Sequence, residues 1–183
     1  MRMAGITIDG TVTELLSSSN NGTAETGVTA TEYGNGSYHK TVLTVSSTLP
    51  AIAGGAALSV GTLLYTFPAG EVVVSSAYMN MAITKSEANI TADTPDVGLG
   101  TAVAAGANAL LSDTTGAENI LTGQTAADCD GTATELTVAD QVLVIAAGDD
   151  HTVYFNAADT WAASGDAAAT ITGTITLIWS FVA

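Results

Sequence analysis

The sequence predicts an all-β protein with two packed sheets, and three observations carry that expectation. The C-terminal stretch Thr170–Phe181 alternates apolar and hydroxyl residues almost without a break. Short runs rich in Val, Ile, Leu and Thr recur along the chain, bounded by Gly, Pro, Asn and Asp. No long helical segment separates those runs, and strands at such short spacing belong to sandwiches or barrels.

Taken in order, Ile6 to Leu16 opens with Ile6, Ile8 and Val12 on one face and Thr7, Asp9, Thr11 and Thr13 on the other, the period of a half-wet strand. Residues 17–36 follow, rich in Ser, Asn, Gly and Thr and poor in large apolar side chains; that composition reads as a linker. The chain thus divides into an N-terminal extended arm with its polar linker, 1–36, and a β-sandwich domain, 37–183. In the domain, Tyr38–Ser46 and Leu58–Phe67 read as strands, stopped by Pro50 with Gly54-Gly55 and by Pro68-Ala69-Gly70. Glu71–Thr84 has a β-branched start after a turn signal and a mixed period. Asp93-Thr94-Pro95-Asp96 marks a turn. Val97–Ala104 resumes a strand with two glycines suited to bulges. Thr115–Leu121 fits one helical turn. Glu135–Val138, Gln141–Ile145 and His151–Asn156 read as further strands. In the last segment Ile171, Gly173, Ile175, Leu177, Trp179 and Phe181 share a face, and Thr170, Thr172, Thr174, Thr176 and Ser180 share the other, with Ile178 the exception. A helix would scatter those positions around its axis. About eight strands in the domain fit a jelly roll, with an immunoglobulin-like sandwich as the alternative.

Composition narrows the function. Of 183 residues only 3 are Lys or Arg against 18 Asp or Glu, a net charge of −15. Nucleic-acid binding needs cations to neutralise phosphates, so no nucleic-acid partner is expected, and anionic membranes are disfavoured likewise. With 47% apolar residues and 11% charged, the chain is far from the composition of a disordered protein. No segment has the apolar length of a membrane span, and the N-terminus lacks the apolar core of a cleaved signal, so synthesis in a cytoplasm is expected. A single cysteine excludes an intrachain disulfide.

Residues able to carry chemistry are few. His39 and His151 stand far apart in sequence, and each reads as a strand residue at a surface or interface. Cys129 lies between Asp128 and Asp130, and negative neighbours disfavour a reactive thiolate. Gly34-Asn35-Gly36 and Gly98-Leu99-Gly100 do not extend to a dinucleotide fingerprint. Asp128, Asp130 and Gly131, or Asp93 with Asp96, put carboxylates in turns, yet neither segment completes a calcium loop. No catalytic residue, metal or cofactor is expected. Trp161 reads as a loop anchor before it reads as a sugar platform.

Three stretches carry a family resemblance: Thr94-Pro95-Asp96-Val97-Gly98-Leu99-Gly100-Thr101, Ala117 to Asp128, and Asp159 to Asp166, followed by the Thr/Ile strand. Together, over about half the chain, they resemble capsid decoration or cement proteins of tailed bacteriophages. The resemblance implies a β-rich module, often a jelly roll. It would sit on the outer capsid surface of a virion after synthesis in the host cytoplasm, commonly as a homotrimer, clamping the major capsid protein. It brings no catalytic residues. Interface candidates are Ile6, Ile8 and Val12, from the arm strand that could extend a neighbour's sheet, and Thr174 and Thr176, from the hydroxyl face. The competing function is a receptor- or carbohydrate-binding β-module of a phage fibre or bacterial surface, using Trp161, Tyr33 and Tyr38.

Overall fold

The computed structural model describes residues 21–35, 38–52, 56–85, 90, 92–136, 142–161 and 167–182. They form eleven strands: β1 (Thr23–Ala24), β2 (Val28–Asn35), β3 (Tyr38–Ile52), β4 (Ser59–Thr66), β5 (Val72–Thr84), β6 (Asp96–Gly100), β7 (Leu121–Thr125), β8 (Asp130–Leu136), β9 (Leu143–Ile145), β10 (Thr152–Ala158) and β11 (Ala167–Phe181). One sheet, A, has the order β1-β4-β10-β6-β7. The other, B, has the order β2-β3-β11-β5-β8, with β9 also beside β5. Every pairing is antiparallel.

The pairing is nested. β3 lies beside β11, β4 beside β10, β5 beside β8 and β6 beside β7, so the chain is one long hairpin rolled over on itself. From β3 to β6, from β7 to β8 and from β9 to β11, each strand lies in the sheet opposite its predecessor, and β6 and β7 close the roll as neighbours in sheet A. That is the jelly roll. An immunoglobulin-like sandwich keeps its first two strands side by side in one sheet, and this strand order departs from it.

The core lies between the sheets and is mostly aliphatic. Leu43, Leu64, Met79, Leu99, Ile171, Ile175 and Leu177 are wholly buried, around a smaller aromatic group of Trp179, Tyr65 and Phe155. β11 supplies its Ile171, Ile175, Leu177 and Trp179 to this core, while Thr170, Thr172 and Thr174 are exposed, as strict alternation requires. Gly173 is the one gap in that inward row. It takes φ +146°, and a Cβ there would strike the backbone of Asn80 and Met81.

The mixed period of the 71–84 run has a local cause. Val72 and Val74 point inward, and so do Ala77, Met79, Met81 and Ile83. The parity changes between the two groups because Ser75 is an extra residue: β11 pairs Ile178 with Ser76 and Trp179 with Val74. A bulge of this kind re-aims a strand without ending it. Its hydroxyl donates to Ile178 O at 3.2 Å. The glycines of β6 have two different uses. Gly98 lies where the register against β7 shifts, whereas at Gly100 a Cβ would strike Gly116 and Ala117. Pro50, expected to stop a strand, lies inside β3. It sits beyond the reach of β2 and in the register shift against β11, where no ladder bond requires its nitrogen.

Two expectations are corrected. The linker reading of 17–36 fails over 23–35, where β1 and β2 join sheets A and B, so the sandwich includes residues assigned to the arm. The single helical turn comes earlier than Thr115–Leu121, as a 3-10 turn at Leu111–Asp113, and Leu121 opens β7. The strand expected at Ile6–Leu16 lies outside the described residues.

Candidate docking surface

The outer face of sheet B is a field of hydroxyls. Register carries one row from Thr29 through Thr44 and Thr174 to Asn80 and Glu135, and the next from Thr31 through Val42 and Thr176 to Tyr78. Thr174 is exposed and Thr176 half-buried. Both interface candidates of β11 therefore lie on one open surface. Ile6, Ile8 and Val12 lie outside the described residues.

Toward the β11 C-terminus this face turns apolar. The following rows run Tyr33–Lys40–Ile178–Ser76 and Tyr38–Ser180–Val73–Val144. Of the large apolar side chains exposed among the described residues, Tyr33 (54%), Tyr38 (53%), Val142, Val144 and Val182 gather here, whereas Val103 and Leu110 lie in the loop after β6. Lys40 holds its ammonium 5.7 Å from the Tyr33 ring centre. It is exposed while Lys85 is buried, and no other Lys or Arg falls among the described residues. Glu71 stands exposed at the border, its carbonyl accepting from Val182 N at 3.0 Å. Ile178, the exception in the alternation, belongs to this patch.

Behind the patch, a hydrogen-bonded chain fixes the edge strand β2. Trp179 Nε1 donates to Thr41 Oγ1 at 2.8 Å, and Thr41 Oγ1 donates to Glu32 Oε2 at 2.7 Å. Tyr65, from sheet A, donates its hydroxyl to Glu32 Oε1 and accepts from Gly22 N at 3.0 Å. Burial, followed by the hydrogen bond to Glu32, drives the Tyr65 phenol well above its usual value. A carboxylate pointing inward from an edge strand also discourages unplanned pairing along that edge. Beside it His39 stacks on Trp179, centroids 3.9 Å apart and rings 9° from parallel. His39 is fully buried, which corrects its reading as a surface residue. Both its ring nitrogens lack partners. Burial holds its pKa below 6.5, against a smaller opposite pull from Glu32.

The remaining candidates serve the fold. Cys129 is buried; burial and then Asp93, Asp159, Asp128 and Asp130 push its thiol up to about 12. His151, half-exposed before β10, sets its ring between the carbonyls of Asp149 and Gly70, joining two turns. Trp161 is 4% exposed and donates Nε1 to Leu58 O at 2.7 Å, so it anchors a loop and offers no ring to a sugar. Asp130 Oδ1 accepts from Thr132 N at 2.8 Å, the self-capping common in turns. Asp96 and Glu118 converge over Gly123, whose N donates to Glu118 at 2.6 Å; burial, then Glu118, raises the Asp96 carboxyl. Among the described residues, no group of three or more His, Cys, Asp or Glu could hold a metal.

Comparison with protein-family models, curated proteins and solved structures finds no significant match to this chain.

Two features escape the sequence: the Tyr33–Lys40–Tyr38 cluster and the Glu32 network. Their signal lay in Val28, Ala30 and Glu32 alternating with Thr29, Thr31 and Tyr33. Small inward side chains and an inward carboxylate hid it.

Proposed function

We propose that the chain is a non-catalytic structural protein of a phage virion, made in the host cytoplasm and bound to the outer surface of the capsid. There it reinforces contacts between subunits of the major capsid protein. The observation that carries this reading is the outer face of sheet B: broad, hydroxyl-rich and apolar at one end, on a chain of charge −15. Such a face makes many uncharged contacts without stranding ions, and extended protein surfaces are recognised this way. The net charge keeps the protein away from packaged nucleic acid. The resemblance over residues 94–182 supplies the setting.

The test is co-sedimentation of the purified chain with phage shells that lack it, followed by heating. Saturable binding and a higher disruption temperature are expected. A chain that neither sediments with shells nor protects them sinks the reading. The carbohydrate-binding alternative loses Trp161 and keeps exposed Tyr33 and Tyr38; specific binding on a glycan array, with none to shells, would put it first.

A further inference from the structure

We propose that the apolar end of the outer face of sheet B is where a second copy of this chain docks. The inference rests on the structural-protein reading above and names the surface through which copies meet. Large exposed apolar patches mark interaction sites, and this patch gathers Tyr33, Tyr38, Ile178 and Val144 across the five neighbouring strands β2, β3, β11, β5 and β9. Tyrosines of this kind dominate binding energy when a partner covers them.

Charge selects the occupant. Two copies, each of charge −15, set carboxylate against carboxylate over most of their surfaces. Among the described residues, no Asp or Glu stands among the apolar side chains of the patch. Its borders carry opposite signs, with Lys40 on β3 and Glu71 at the start of β5. A surface holding one cation and one anion on opposite sides of an apolar centre is complementary to itself, since Lys40 of one copy can meet Glu71 of the other and the reverse.

The experiment measures mass in solution by sedimentation of the full chain and its variants, with circular dichroism confirming the fold. Wild type is expected above the monomer mass. Lys40→Glu and Glu71→Lys should each weaken association by about tenfold or more, because like charges then face one another. The double variant K40E/E71K should restore it. Tyr38→Glu should give monomers, and Leu110→Ser, which alters an exposed apolar residue elsewhere, should change nothing. A wild-type monomer overturns the inference, whether the patch is bare or covered by residues 1–20 of the same chain. So does a folded Y38E that associates like wild type, or a charge swap that fails to rescue. Shell binding is scored separately, so a dimerising chain that ignores shells refutes the virion reading and leaves this surface standing.

Discussion

Asn156 makes the densest set of buried polar contacts in the molecule's described residues. It is wholly buried on β10. Its amide donates to Ala102 O at 3.0 Å and Ala117 O at 2.7 Å, and its oxygen accepts from Ala104 N at 2.8 Å. One side chain thereby ties the loop after β6 to sheet A. Gly61 leaves room for it, since a Cβ there would strike the Asn156 oxygen. Asn156→Asp keeps the acceptor but turns a second carboxylate oxygen toward two carbonyls. We expect it to cost roughly 3 kcal/mol or more, and to be at least as harmful as Asn156→Ala, because buried polar groups left unpaired each cost about 1–3 kcal/mol. Urea unfolding midpoints decide this, and an Asp variant as stable as wild type would refute the geometry. His39 gives a different prediction. Its charged form is disfavoured in the folded chain by burial and free in the unfolded chain. As pH falls below 6.5, the unfolded state therefore binds more protons and stability falls with it. His39→Phe, which keeps the stack on Trp179, should hold its stability between pH 7 and 5 better than wild type does. Parallel pH–stability curves for the two would count against it. Asp96 works in the opposite direction: its raised carboxyl favours the folded state below the usual carboxylate range, and that contribution fades as pH climbs through its own pKa.

At the scale of elements, β5 depends on one residue. Deleting Ser75 removes the bulge and leaves the two halves of β5 out of phase, so that Val72 and Val74 face solvent whenever Met79 and Met81 face the core. We expect that deletion to abolish cooperative thermal unfolding or solubility. A deletion variant that melts like wild type would show that the register can slide. The same bulge explains what the sequence could and could not convey. β11 was legible because Thr and aliphatic residues alternate there with strict parity. β5 was legible as a strand only through its β-branched start, since an extra residue scrambles the parity that periodicity needs. β2 was illegible: Ala30 and Glu32 are poor signals of a buried face, and only the partners Tyr65 and Thr41, distant in sequence, make an inward Glu acceptable. The jelly roll was legible as a strand count, while its nested order came from pairings far apart in the chain. The docking patch combines five such strands, so no local window contains it.

For the whole molecule, charge decides how copies meet. Adding salt from about 0.01 M to 0.15 M shortens the screening length from roughly 30 Å to 8 Å, which weakens repulsion between chains of −15 more than it weakens one ion pair. Association should therefore tighten with salt in sedimentation runs; loosening would point to a contact built from charges instead. The nested strand order also has a kinetic consequence. β11 is translated after every other described strand, yet it lies inside sheet B between β3 and β5. Until it leaves the ribosome, β3 and β5 have no common partner, and the apolar faces of both stay open. Closing that ladder joins residues at opposite ends of the described chain, such as Tyr38 with Ser180, the kind of distant contact that slows folding. The nascent sandwich therefore keeps β3 and β5 apart until β11 arrives, and a stop codon before Ala167 would yield a chain without a middle, where a cut at an edge would yield a smaller sandwich.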